Sequence, residues 1–120
     1  MVLNPEAERF FLSRSAHDGV GTALMESLKP LGEYELRGEL RQYKSPYAVT
    51  VNIVFCGAAD MSDTYFRLAL SDREIALATG GEAAELGADW VRIRLFRPRW
   101  PKPDLAHWAL RAYDYARTGG

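Results

Sequence analysis

Hydrophobic residues recur with a period of two along residues 47–56, YAVTVNIVFC, a run without any charge. β-branched and aromatic residues at that spacing favour a pleated strand over a helix. Val49, Val51 and Ile53 share one face of this strand, and the other face is small and only partly polar. Since neither face carries a charge, we expect one interior strand, in which an aspartate at Val51 or Ile53 would be buried and would unfold the domain.

Three further segments alternate in the same way and predict additional strands. Residues 34–43 are apolar on one face and charged on the other, so that one side faces the core and one faces water. The short turn at residues 44–46 predicts that this strand forms an antiparallel hairpin with residues 47–56. Residues 64–70 and residues 90–96 are the other two segments that alternate in this way.

Residues 71–81 leave two interpretations open. Ser71 to Glu74 match a capping box, and Gly80 with Gly81 would end a short helix. Alternatively, the segment is the second strand of a hairpin with residues 64–70, because sequential strands are usually neighbours. We expect the hairpin, followed by a loop or a single helical turn at residues 82–89.

Helical spacing of apolar residues marks both ends of the chain. Asn4 before Pro5 is typical of a helix start, and an apolar stripe over residues 20–31 predicts a second helix. Asp104 is placed to cap a final helix, whose Trp108 we expect to dock on the sheet. The elements together predict an α+β protein: a single antiparallel sheet of four to five strands, with N-terminal and C-terminal helices packed on its apolar face.

Composition supports one ordinary globular domain spanning residues 1–120. The chain is 48% hydrophobic and 26% charged, and its net charge of −1 gives no general attraction to nucleic acid or to an anionic membrane. Its single cysteine, Cys56, cannot form an internal disulfide and lies in the most apolar segment, which indicates a buried thiol in a reducing compartment. With neither a signal-peptide pattern nor a membrane-length apolar run, we expect a soluble, cytoplasmic protein.

The sharpest candidate for chemistry is the stretch of residues 90–102, WVRIRLFRPRWPK, in which basic and aromatic residues alternate without an acid. Arginine pairs with phosphate and aromatic faces stack bases, so this mixture suits single-stranded RNA or another polyanion. A competing interpretation is that Arg92 and Arg94 pair across strands with Glu35 and Glu39. The residues left for a functional patch are then Arg97, Arg99 and Lys102, on a link that its prolines hold extended.

Other polar residues give weaker signals. Residues 13–22 contain a histidine and two glycines before a helix, which suits either an anion site or a close helix corner. His17 and His107 have no cysteine partner at metal-binding spacing, so we expect no metal and no cofactor. Asn52, the polar side chain within the predicted central strand, either lines a ligand pocket or bonds to a neighbour.

We therefore expect a non-enzymatic binding module that acts through a protein partner or through self-association, for example as a homodimer. Exposed aromatic residues are typical interface anchors, and four are predicted here: Trp90, Tyr65, Tyr43 and Trp100. The alternative function is polyanion or single-stranded RNA binding through residues 90–102, and a further alternative is a small-molecule-binding or enzymatic domain that uses His17, Asp18 and Asn52. The candidate binding residues are Trp90, Arg92, Arg94, Arg97, Arg99, Trp100, Lys102 and Asn52.

Overall fold

The structure, a computed structural model, describes residues 1–38, 44–96, 98–99 and 101–119. The helices in these residues are α1 (Pro5–Leu12), α2 (Asp18–Leu28), α3 (Leu70–Ala78) and α4 (Leu105–Arg117). The strands are β1 (Glu35–Arg37), β2 (Tyr47–Thr50), β3 (Ile53–Ala59), β4 (Asp63–Arg67), β5 (Glu82–Ala83) and β6 (Trp90–Arg94). They form one antiparallel sheet in the order β1-β2-β3-β4-β6-β5. The α+β prediction is confirmed, with six described strands instead of four to five.

The expected single strand at residues 47–56 is wrong, because this segment forms the hairpin of β2 and β3. Val51 and Asn52 connect the two strands with φ angles of 44° and 64°. Positive φ at both central residues is the conformation of the type I′ turn, whose twist matches that of the flanking strands. Both strands are interior, as expected, since each has a neighbour on either side.

The predicted antiparallel pairing is confirmed for β1 and β2, but residues 38–46 separate the two strands, so the expected short turn at residues 44–46 does not by itself connect them. Glu35 lies opposite Val49 and Arg37 lies opposite Tyr47. β1 ends at Arg37, before Gly38 with its φ of 66°, and residues 39–43 of the expected strand lie outside the described residues. β1 is therefore the edge of the described sheet.

The sheet is buried on both faces. One face packs against α2, α3 and α4 through a cluster that includes Leu24, Phe66 and Trp108. The other face packs against α1 through a separate cluster that includes Phe11 and Val54. Packing of the N-terminal and C-terminal helices on the sheet is thus confirmed, and Trp108 docks as expected. The prediction did not include a second apolar face.

Phe11 and Asn4 hold α1 against this second face. The Phe11 ring stacks on Tyr47 with 5.8 Å between ring centroids, and a Cβ added at Gly57 would lie 2.4 Å from the same ring. Only glycine therefore lets Phe11 approach β3 so closely. The Asn4 side chain donates to the Val54 C=O and accepts from the Val54 N–H, each at 2.9 Å. It was expected to cap α1, but it makes no capping hydrogen bond.

Residues 71–81 form a helix and its C-terminal turn, so the predicted hairpin is wrong and the helical alternative is right. α3 begins at Leu70 after Ala69, without a side-chain cap, so the capping box does not form. Asp72 is buried, and its carboxylate accepts from Arg111 Nε at 3.0 Å, which ties α3 to α4. The expected loop that follows contains the two-residue strand β5. Within the described residues, no helix combines the length and apolarity needed to cross a bilayer.

Candidate functional site

The structure divides the basic stretch of residues 90–102 into two parts. Arg92 Nη2 lies 3.0 Å from Glu82 Oε2, and Arg94 Nε lies 3.2 Å from Glu82 Oε1. The two arginines are therefore cross-strand ion pairs, but Glu35 and Glu39 are not their partners. Glu35 pairs with Arg37 at 2.9 Å, and Glu39 lies outside the described residues. The reason is strand order, because three strands separate β1 from β6.

The ion pairs of Arg92 belong to a larger network on the α1 side of the sheet. The Tyr65 hydroxyl donates to Glu85 Oε1 at 2.9 Å, and Glu85 Oε2 lies 3.9 Å from Arg92 Nη1. Burial raises the pKa of Tyr65, and its bond to the Glu85 carboxylate raises it further. Burial also raises the pKa of Asp63, which lies 3.9 Å from Arg94 Nε. The network therefore neutralises the arginines of β6, so they are not free to bind a polyanion.

Two of the expected aromatic anchors are buried, so their assignment as exposed interface residues is wrong. Trp90 is 5% exposed and Tyr65 is 0% exposed. Both side chains are on the face that the pattern assigns to solvent, but α1 covers that face, with 6.0 Å between the Phe11 and Trp90 ring centroids. Tyr43 and Trp100 lie outside the described residues.

The second part of the basic stretch is exposed. Arg99 and Lys102 are on the surface and have no ion pair among the described residues. Arg97 lies outside those residues. The link was expected to be extended, but Arg99 is not: its φ of 72° places it in a turn with Pro98. A non-glycine residue in this conformation is uncommon and is found mainly where surrounding structure or function requires it.

A cleft of about 200 Å³ lies between the end of α3, β6 and the start of α4. Its apolar lining is formed by Ala76, Ile93, Pro101, Pro103 and Trp108. Its charged lining is formed by Arg94, Lys102 and Asp104. The cleft thus includes two of the candidate binding residues, Arg94 and Lys102.

The charges of the cleft differ in how they are engaged. Arg94 is paired with acids, and Asp104 caps α4 by accepting from the His107 N–H at 3.2 Å, as expected. Lys102 is the charged lining residue without a partner among the described residues. These residues also contain no group of three or more His, Cys, Asp or Glu side chains placed to hold a metal ion. The arrangement can bind an anionic group above an apolar floor.

The end of α3 also contributes to this cleft, which the sequence patterns do not predict. Gly80 and Gly81 line it, and a Cβ added at Gly81 would lie 2.8 Å from both Ala76 O and Val91 Cγ1. This glycine allows the chain to leave α3 close against β6. The Gly80-Gly81 pair is the sequence signal for this close approach of the chain to β6, but the pattern predicts only the end of a helix there.

Asn52 lies outside the cleft, and its expected position within a strand is wrong. It is exposed in the β2–β3 turn, where its C=O accepts from the Leu3 N–H at 2.7 Å. It borders a shallow concavity of about 400 Å³ that Tyr34 and Arg117 also line. Asparagine tolerates positive φ better than most residues, so its placement in the turn has a conformational reason.

The two histidines lie at separate helix starts. His17 is the N-cap of α2, and its Nδ1 accepts from the Gly19 N–H at 3.1 Å. His17 therefore caps α2 at the helix corner formed by residues 13–22. His107 lies exposed in the first turn of α4, with its ring 4.7 Å from the Trp108 ring.

Cys56 is 0% exposed, and burial raises the pKa of its thiol well above the ordinary range. We expect the folded protein to react with an aromatic disulfide reagent at least about 1,000-fold more slowly than the unfolded chain, because reaction requires opening of the core. Absorbance of the released thiolate, with and without denaturant, measures both rates. Stoichiometric labelling of the folded protein within minutes would contradict the burial of this thiol.

Of the two unpaired cations of the basic stretch, Lys102 lines the small cleft beside β6, and Arg99 does not. The lining of this cleft joins an apolar floor, including Ile93 and Trp108, to the ammonium group of Lys102. Comparisons of the chain with protein-family models, with curated proteins and with solved structures find no match.

Proposed function

We propose that the protein is a non-enzymatic binding module that acts through a partner protein, and that the cleft beside β6 receives a segment of that partner. The observation that carries this proposal is the combination of an apolar floor with the unpaired Lys102 at its rim. Apolar contacts in the middle and polar groups around them are the usual anatomy of a protein interface. A volume of about 200 Å³ suits one or two side chains, whereas small-molecule sites usually have about 300–1,000 Å³.

Charge distribution favours a partner protein over a polyanion. Each phosphate contact of a nucleic-acid binder needs a cation that is free to replace a counterion. Arg92 and Arg94 are neutralised by Glu82 and its neighbours, and the whole chain has 16 acidic and 15 basic residues. Self-association of two clefts is disfavoured too, because it would bring the Lys102 side chains of two copies together.

We expect Lys102→Glu to weaken the binding of an acidic peptide by about tenfold or more, because it replaces an attraction at the rim by a repulsion. The probe is a ten-residue peptide of alternating Asp and Val, titrated into ¹⁵N-labelled protein by NMR. Shifts should be largest at residues of the cleft. The matched control is Lys29→Glu, since Lys29 is also exposed to solvent, lies at the end of α2 away from the cleft and pairs with Glu26.

Polyanion binding remains the second candidate, supported by the exposed and unpaired Arg99 and Lys102. A ten-nucleotide single-stranded RNA tests it in the same titration. Binding that weakens by about 0.7 log units per log of salt for each phosphate contacted would favour this candidate. Equal affinity of wild type, Lys102→Glu and Lys29→Glu for the acidic peptide would show that the cleft is not the site.

A further inference from the structure

The concavity beside the β2–β3 turn has the size and the charge balance of a small-molecule site. Its volume is about 400 Å³, and it shares no lining residue with the cleft beside β6. Small-molecule sites usually have about 300–1,000 Å³. The charged residues of its lining are Glu33, Glu35, Arg37 and Arg117. Their charges sum to zero, which suits a ligand that carries both signs of charge.

Two of these four charges are already engaged. Arg37 Nε lies 2.9 Å from Glu35 Oε1, and Arg37 Nη1 lies 2.7 Å from Glu8 Oε2. Glu33 and Arg117 are exposed and form no ion pair within the described part of the chain, with each other or with any other side chain. One carboxylate and one guanidinium therefore remain for a ligand.

Thr50 brings residues 33 and 117 to the same place. Its side chain is buried, and its hydroxyl donates to the Glu33 C=O and accepts from Arg117 Nη1, each at 2.9 Å. The guanidinium of Arg117 also lies over the Tyr113 ring, 5.2 Å from its centroid. These two contacts fix the position of the guanidinium, which has five N–H donors in all. Its remaining N–H groups are available to an anionic group.

Val51 gives the concavity an exposed apolar side chain. It is 49% exposed at a φ of 44°, so packing in the core does not explain why a β-branched residue occupies this position. Backbone strain of this kind is concentrated at ligand sites, where the side chain has a use that offsets the strain. Tyr34 lines the concavity as well, and Asn52 borders it.

We propose that this concavity binds a free α-amino acid with an apolar side chain. The ligand carboxylate pairs with Arg117, its ammonium group pairs with Glu33, and its side chain lies against Val51. Because both charges of an α-amino acid are attached to one carbon atom, their partners must be neighbours, as residues 33 and 117 are at Thr50. The site is separate from the cleft beside β6, so it goes beyond the proposed function and does not depend on it.

Other ligand classes match the lining less well. A phosphate or a nucleic acid would meet the carboxylates of Glu33 and Glu35, which would repel it. A residue within a peptide chain carries neither of the two backbone charges. Only a ligand with adjacent charges of both signs engages Glu33 and Arg117 together.

Titration of ¹⁵N-labelled protein with L-leucine, followed by NMR, tests the site. We expect a Kd of about 1 mM or lower, with the largest shifts at residues 33–35 and 49–52. Leucinamide lacks the carboxylate, and isocaproate is the leucine analogue that lacks the ammonium group. Each should bind at least about tenfold more weakly than leucine, because one charged partner is then left without its counterpart.

Two variants assign the charges to their partners. Arg117→Gln should reduce the preference for leucine over leucinamide from at least about tenfold to less than about twofold, and Glu33→Gln should do the same for the preference over isocaproate. Each variant should retain the discrimination that the other one loses, which general destabilisation of the fold would not produce. Arg9→Gln is the matched control, since Arg9 is exposed on α1, has no ion pair among the described residues and does not line the concavity.

Val51→Asn separates ligand binding from stability. It relieves the strain of the turn, but it should weaken leucine binding by at least about threefold, because an apolar contact is lost. The proposal is wrong if leucine does not bind at about 10 mM, or if leucinamide and isocaproate bind as tightly as leucine. Shifts confined to other parts of the surface, or undiminished preferences in Arg117→Gln and Glu33→Gln, would equally overturn it.

Discussion

Replacement of Val54 by aspartate should remove a large share of the free energy of unfolding. Val54 is 0% exposed and lies among the apolar side chains between α1 and the sheet. An uncompensated buried charge costs about 3–5 kcal/mol, and small domains are stable by only about 5–15 kcal/mol. Circular dichroism and denaturant titration measure the loss, and a cooperative transition near that of wild type would contradict the burial of Val54.

The neighbouring turn supplies the matched control. Val51 is 49% exposed at a φ of 44°, so the expected burial of an aspartate at this position is wrong, and Val51→Asp should leave the domain folded. A β-branched residue at positive φ is strained by about 1–3 kcal/mol. We therefore expect Val51→Asn to raise the free energy of unfolding by about 1 kcal/mol, since asparagine is preferred in type I′ turns.

Phe11→Ala should lower the free energy of unfolding by about 3–5 kcal/mol, the usual cost of truncating a buried phenylalanine. Phe11 is 0% exposed, and its ring contacts those of Tyr47, Tyr65 and Trp90. α1 has only eight residues, so its stability comes from this packing and not from its own hydrogen bonds. Denaturant titration gives the change in the free energy of unfolding.

Leu12→Ala is the control for this prediction, because Leu12 belongs to the same helix and is 66% exposed. Its effect should stay within about 0.5 kcal/mol. If the two substitutions had equal effects, α1 would not be anchored through Phe11, and the second apolar face would not be a core.

The candidate site was only partly accessible to sequence reasoning. Lys102 and Arg99 follow from the composition of residues 90–102, which contain no acid. The pairing of Arg92 and Arg94 with Glu82 depends on β5 lying beside β6, which no local pattern encodes. The cleft also needs α3 and α4 to meet β6, so its apolar floor joins Ala76 and Trp108, which are distant in sequence.

Local patterns by themselves determined the helices at both ends, the antiparallel pairing of β1 with β2 and the α+β class. These features follow from short-range physics, namely side-chain periodicity and capping at Asp104. The same reasoning failed at residues 71–81, where one short apolar segment satisfies both periods and the docking of Asp72 against Arg111 decides for a helix.

Only the tertiary structure decided that both faces of the sheet are buried. A strand covered on both sides is apolar throughout, so alternation carries no information about where it ends, and the turn at Val51 and Asn52 is hidden within an unbroken apolar run. Alternation likewise predicts that Tyr65 and Trp90 face solvent, but α1 covers the face on which they lie. A period-two pattern specifies which residues share a face, but whether that face meets water depends on a helix placed there by contacts distant in sequence.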